Sequence, residues 1–367
     1  MQPARVVPDY GGACVAGVVP AVLGRRSGAP PWLPEPVVDA EQVLLLVLDG
    51  LGWEQLQERR HLAPTLAGMA GGPITSVVPS TTATALTSLT TGMPPAAHGI
   101  VGYRILVPDG EILNVLRWTT ASGDARDVCP PETLQPFDVF LGTKPPVVTK
   151  AEFADSGFTR VHLAGSPLYG WRYVSTLVAR SAAVMAEGHE LVYAYYAGVD
   201  TVAHEFGFGD LYDAEVAAAD RLVADLLGAL PPGAALLVVA DHGEVFVGDA
   251  IVPLGADVLE LAALTSGEGR FRWAHARPGL AEPLLEAARD RHSGHAWVCT
   301  RDEVVADGWL GGELRPEVAA RLGDVALVAH APIAFDDPAD TGSYRLQCRH
   351  GSLTSAEMLV PLLGARA

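Results

Sequence analysis

Six consecutive apolar residues, Val43–Leu48 (VLLLVL), run directly into Asp49-Gly50. The run has the length of a strand and is too short for a helix of its own. Lacking polar alternation, it must be buried on both faces. A strand of that kind needs helices on each side of its sheet, so this stretch points to a layered α/β architecture. It also delivers a carboxylate at the carboxyl end of a core strand, the edge of an open α/β sheet where ligands bind.

The remaining pattern agrees. Glu190–Tyr196 and Ala235–Ala240 are further buried runs, and Ile74–Val78 and Arg160–Ala164 read as shorter strands. Helical patterns are expected over Glu54–Arg59, Pro64–Met69, Val174–Glu187 and Asp213–Leu230, with a first helix from Cys14–Leu23 packing on the sheet. A Thr-rich helix spans Thr82–Thr91 and is stopped by Gly92 and Pro94-Pro95. Strands separated by helices of this length imply crossover connections and a mostly parallel sheet. The segment from Asp109 to Lys150, with scattered prolines and aromatics, reads as a substrate-side insertion. From Ile251 to Tyr344 the pattern loosens into short strands (His295–Thr300, Ala326–Ala331) and helices (Glu282–Arg289, Pro316–Leu322). The expected fold is therefore α/β, a three-layer α/β/α sandwich with a mostly parallel central sheet. It forms one catalytic domain over residues 1–367, with a cap inserted at 251–344.

A formal net charge of -18 argues against general nucleic-acid binding, which needs a basic face. Cys14, Cys129, Cys299 and Cys348 are widely spaced with no C-x-x-C pair, so reduced thiols are expected. The apolar stretch near the start carries Asp9, Pro20 and Arg25-Arg26 where a signal peptide would not, and no other run approaches a membrane span. A cytoplasmic protein without membrane association is the expectation.

Chemistry-bearing residues gather at strand ends. A helix starting near Asp200 places Asp200 and His204 on one face, which is half of a metal site or a cap plus a surface histidine. Asp241-His242-Gly243 follows the Ala235–Ala240 strand, where both side chains lose hydration unless paired or metal-bound. His350 lies in a loop at the C-terminal return. A hydroxyl at the start of the Thr82 helix meets unpaired backbone N–H groups, a seat for phosphate as well as an ordinary cap. This mixed N/O donor set suits zinc, and manganese or iron would accept it too. Two such ions could hold a phosphoryl group, one lowering the pKa of the nucleophile and the other stabilising the departing oxygen. The Arg270, Arg272, His275, Arg277 patch is expected to be solvated surface, and Trp118, Tyr169 and Trp171 to be core. His204-Glu205 does not continue into H-E-x-x-H, because Phe208 holds the last position.

The order Asp49, Thr82, Asp200-x-x-x-His204, Asp241-His242, His350, with the words LDGLG, PSTT, TTGMPPAAHGI, ADHGE and RHGS, resembles the alkaline phosphatase superfamily. The words are most similar to its nucleotide pyrophosphatase/phosphodiesterase branch, and the likeness covers Val43–Leu363. The resemblance implies an alkaline-phosphatase-like fold and Thr82 as nucleophile, counted back from Thr91-Gly92, with Thr81 and Ser80 as rivals in register. It further implies that Asp49, Thr82, Asp241 and His242 surround one metal ion and Asp200, His204 and His350 another. The implied reaction is hydrolysis of a phosphodiester or pyrophosphate bond in a small nucleotide-like phosphate ester, through a covalent phospho-threonine. A phosphomonoesterase, or a hydrolase of phosphate, sulfate or phosphonate esters, is the alternative. Two departures bear on substrate. Ala83-Thr84-Ala85-Leu86 stands where the branch has Phe-Pro-Asn-His, and Gly102-Tyr103-Arg104 stands where it has a phosphate-binding Asn. Tyr103 and Arg104 are the candidate substrate-binding replacements.

Overall fold

The computed structural model describes residues 3–338 and 346–367. Its centre is a seven-stranded sheet. In chain order the strands are β1 (Val43–Leu48), β2 (Ala70–Thr75), β3 (Val147–Lys150), β4 (Leu168–Trp171), β5 (Leu191–Tyr196), β6 (Ala235–Val239) and β7 (Leu359–Arg366). Across the sheet they run β2-β7-β6-β1-β5-β3-β4. β1 pairs in parallel with both β6 and β5, as the run without polar alternation requires, and every one of its residues is buried. Only β7 opposes its neighbours. Helices complete a three-layer α/β/α sandwich. The Val15–Gly28 helix packs chiefly on Thr82–Thr91, while Asp210–Ala229 packs on Val174–Met185 and Gly198–Phe206.

Three expected elements are corrected. Arg160–Ala164 is not a strand: Gly157–His162 is helical, because the Ser156 hydroxyl accepts the Thr159 N–H and caps it. The strand expected at Ile74–Val78 lies earlier, at Ala70–Thr75, where Gly71, Gly72 and Pro73 are tolerated because β2 is an edge strand. The segment read only as an insertion ends in β3, which with β4 extends the sheet by two four-residue strands too short to show a period.

Between β6 and β7 the chain builds a second, four-stranded antiparallel sheet in the order 262–268, 271–276, 325–329, 296–300. It has its own apolar cluster, including Leu254, Leu284, Leu285, Leu327 and Phe335. The sheet falls within residues 251–344, the stretch expected as a cap, of which 339–344 lie outside the described residues. Of the basic patch expected on the surface, Arg277 is exposed, whereas Arg270, Arg272 and His275 are buried. Arg270 forms two hydrogen bonds to Glu357 (2.8 and 2.9 Å), which joins the inserted sheet to the start of β7. Trp118 and Trp171 are core residues, as expected. All four cysteines are free thiols. Among the described residues no helix is long and apolar enough to cross a membrane.

Candidate metal centre

Three adjacent parallel strands, β6, β1 and β5, release their chains at the same edge of the sheet. Asp49 follows β1, Asp241 follows β6, and Asp200 sits in the first turn of the Gly198–Phe206 helix that follows β5. Backbone bonds lock the three exits together: Asp200 N–H donates to Asp49 O (3.0 Å), and Gly50 N–H to Asp241 Oδ1 (3.1 Å). Gly50, at φ 74°, allows this approach, since a Cβ there would lie 2.8 Å from Asp200 Cα.

Each histidine is oriented by its inner nitrogen. Nδ1–H donates to a backbone carbonyl in all three: Cys348 O for His204 (2.8 Å), Ser80 O for His350 (2.9 Å) and Gly243 O for His242 (3.1 Å). The carbonyl can only accept, so the inward-facing atom of each ring is Nε2, which offers its lone pair when a cation takes the place of a proton there, the arrangement of metal-binding imidazoles. His204 Nε2 lies 3.2 Å from Asp200 Oδ1, and His350 Nε2 lies 3.9 Å from the same oxygen. His242 Nε2 lies 3.4 Å from Asp49 Oδ1 and 3.5 Å from Asp241 Oδ2. The His242 and His350 rings stack at 3.6 Å, so the two groups of donors adjoin.

The predicted Thr82 opens its helix, and its Oγ1 is 3.1 Å from His242 Nε2. Its rivals point elsewhere. The Thr81 side chain faces Glu268, and Ser80 Oγ donates to Ser352 O (2.7 Å). Thr81 is the N-cap residue, yet its side chain makes no capping bond, and no acidic residue lies in the first turn. The first-turn N–H groups therefore remain available to an anion. Tyr103 and Arg104 reach this region indirectly. The Tyr103 N–H donates to Glu268 Oε2 (3.1 Å), its phenol accepts from Asn114 (2.6 Å), and Arg104 lies in charge contact with Asp337.

The electrostatics show what the cluster requires. Burial, then Asp241 and Asp200, push the Asp49 carboxyl well above its usual range. Burial and Asp200 do the same to Glu244. For Asp200, burial is outweighed by His204, His242 and His350, which hold it well below the ordinary carboxylate range. Burial, with His242 and His204, drives His350 down. Asp49 Oδ1, Asp200 Oδ1, Asp241 Oδ2 and both Glu244 oxygens are buried without a hydrogen-bond partner. Buried carboxylates crowded against inward-facing imidazole lone pairs fit divalent cations.

Three residues of this site were not singled out by sequence. Tyr195 donates its phenol to Asp49 Oδ2, Glu244 stands beside His204, and Glu268 comes from the inserted sheet. Only Glu244 carried a signal, as a second acidic group three positions past Asp241.

Fold, site and the comparisons that follow define a phosphoester hydrolase of the alkaline phosphatase superfamily. The family model for type I phosphodiesterase / nucleotide pyrophosphatase matches residues 43–181 and 168–353, and the chain belongs to that family. The structure is similar to murine ectonucleotide pyrophosphatase / phosphodiesterase 5, with 15% identity, 88% of this chain and 87% of that chain covered, and a TM-score of 0.67. An inactive variant of the murine protein in complex with AMP matches at 14% identity over the same shares, with a TM-score of 0.66. Phosphonoacetate hydrolase from Sinorhizobium meliloti 1021, in complex with phosphonoformate, matches at 18% identity over 100% of this chain and 94% of that one, with a TM-score of 0.64. Among curated protein sequences nothing matches significantly.

Proposed function

We propose that the protein hydrolyses phosphodiester or pyrophosphate bonds in small, nucleotide-like esters, with Thr82 as a covalent nucleophile. The observation that carries this is Thr82 Oγ1, at a helix start with unpaired N–H groups and 3.1 Å from His242 Nε2. Asp49, Asp241 and His242 with Thr82 would hold one divalent ion, and Asp200, His204 and His350 a second, most naturally zinc for this donor set. Bound ions would lower the pKa of the Thr82 hydroxyl and offset charge on the phosphoryl oxygens. Thr82 Oγ would attack phosphorus as the bond to the leaving group breaks, giving a phospho-threonine that water then cleaves at phosphorus. The first-turn N–H groups of the Thr82 helix would hold a non-bridging oxygen. Tyr103 and Arg104 are proposed to contact the substrate from beside Glu268.

A phosphonate hydrolase is the second reading. The bacterial phosphonoacetate hydrolase matches the whole chain, whereas the ectonucleotide enzyme matches 88% of it. Initial rates on bis(p-nitrophenyl) phosphate, p-nitrophenyl phosphate and phosphonoacetate, with metal-loaded protein, separate the possibilities. Faster diester turnover supports the proposal, and preference for the monoester or for phosphonoacetate overturns its substrate assignment.

A further inference from the structure

We infer that Glu244 is an additional ligand of the ion held by Asp200, His204 and His350. This rests on the reading of the site as a metal centre and adds a residue to it.

Past the Asp241-His242-Gly243 turn, the chain enters the short strand Val245–Phe246, which pairs antiparallel with Cys348–Arg349. Val245 opposes Arg349, so the next residues outward, Glu244 and His350, leave the ladder together on the metal side. The Glu244 side chain is 0% exposed, and neither carboxylate oxygen has a hydrogen-bond partner. Oε1 is 3.8 Å from His204 Nε2, and one donor atom each from Asp200, His204, Glu244 and His350 lie within 4.8 Å of one another. Asp200 is its largest charge contact and repels it while both are ionised. A cation among the four groups removes that repulsion and satisfies the orphaned oxygens.

Two consequences follow from the donor chemistry. Three protein ligands suit a zinc ion with one open position, whereas a second carboxylate makes the set oxygen-richer and raises its relative affinity for Mn2+. Asp49, Asp200, Asp241 and Glu244 would also match the charge of two divalent ions, which removes the advantage that an excess-positive site would give a doubly charged monoester over a singly charged diester.

The test is titration of Zn2+ and of Mn2+ into chelator-treated wild type and Glu244→Gln, with melting curves of the metal-free proteins alongside. Glu244→Gln is expected to bind one of the two ions about tenfold or more weakly, with the larger loss for Mn2+ and the other ion unaffected. Its metal-free form is expected to melt no lower than wild type, because the group replaced is a buried carboxyl whose oxygens have no hydrogen-bond partner. Unchanged affinity for both ions overturns the inference. So does a lower metal-free melting temperature with a wild-type gain on metal addition, which would make Glu244 structural. Glu244→Asp keeps the charge but withdraws it by one methylene; weaker Mn2+ binding is expected there too, and unchanged binding overturns the assignment. Wild type that takes up neither ion defeats the metal-centre reading itself, a result distinct from any of these.

Discussion

Thr81 and Thr82 are neighbours that the chain turns in different directions, one toward Glu268 and the other toward His242. Thr82→Ala is therefore expected to lower kcat by about 10³-fold or more while leaving the melting temperature near wild type. Thr81→Ala, which removes a hydroxyl that makes no capping bond, should stay within about tenfold of wild type. Steady-state kinetics on the diester, with melting curves, check both. The sequence left these registers open because PSTT offers consecutive hydroxyls, and only the turn into the helix decides which one meets the histidine. The clustered Asp and His residues were legible for the opposite reason. Asp49 and Asp241 are polar groups abutting uninterrupted apolar runs, and Asp200 and His204 repeat at helical spacing. Glu268 could not be found this way, because its place depends on how the inserted sheet docks. Tyr195 was hidden inside a run that reads simply as strand.

At the scale of elements, the loop bearing His350 is held by one buried ion pair. Glu357 accepts two bonds from Arg270, the Ser352 N–H (2.9 Å) and the Thr354 hydroxyl, and both charged side chains are fully buried. Arg270→Ala leaves the Glu357 charge unpaired and should destabilise the fold by about 3–5 kcal/mol, measured by denaturant unfolding. The composition around Arg270 reads as a basic surface patch, since nothing local announces a carboxylate 87 positions away. The central strands were legible from their apolar runs. β3 and β4 were not, and neither was the helix at Gly157–His162, where a five-residue alternation and a Ser cap compete and the cap prevails.

For the whole molecule, metal and proton compete for the same buried charge. Burial pushes the Glu268 carboxyl up to about 8, from an ordinary 4.5. The folded state therefore holds a proton that the unfolded state has lost, and stability falls as pH rises through that value. Asp49 and Glu244, also raised, act in the same direction. Asp200 is depressed, so its contribution is lost only as pH falls below the ordinary carboxylate range. Burial lowers His98 to about 3 and His162 to about 4; both stay neutral in the fold and contribute little change above pH 7. Metal-free protein should accordingly lose stability between pH 7 and 8.5, with about 1 kcal/mol of the loss absent in Glu268→Gln. Metal-loaded protein should show a shallower decline, because Asp49 and Glu244 then ionise against cations. Thermal melts at fixed ionic strength measure all three slopes. A steeper decline in Glu268→Gln than in wild type would contradict the assignment of that proton.

In the proposed reaction one hydroxyl, that of Thr82, carries the phosphoryl group between its two halves. Acid-quenching metal-loaded enzyme during turnover of a diester labelled at phosphorus, followed by peptide mass spectrometry, tests it directly. An adduct is expected on Thr82, and it should disappear in Thr82→Ala. Label on Thr81, or active enzyme that forms no adduct under rapid quench, would contradict it.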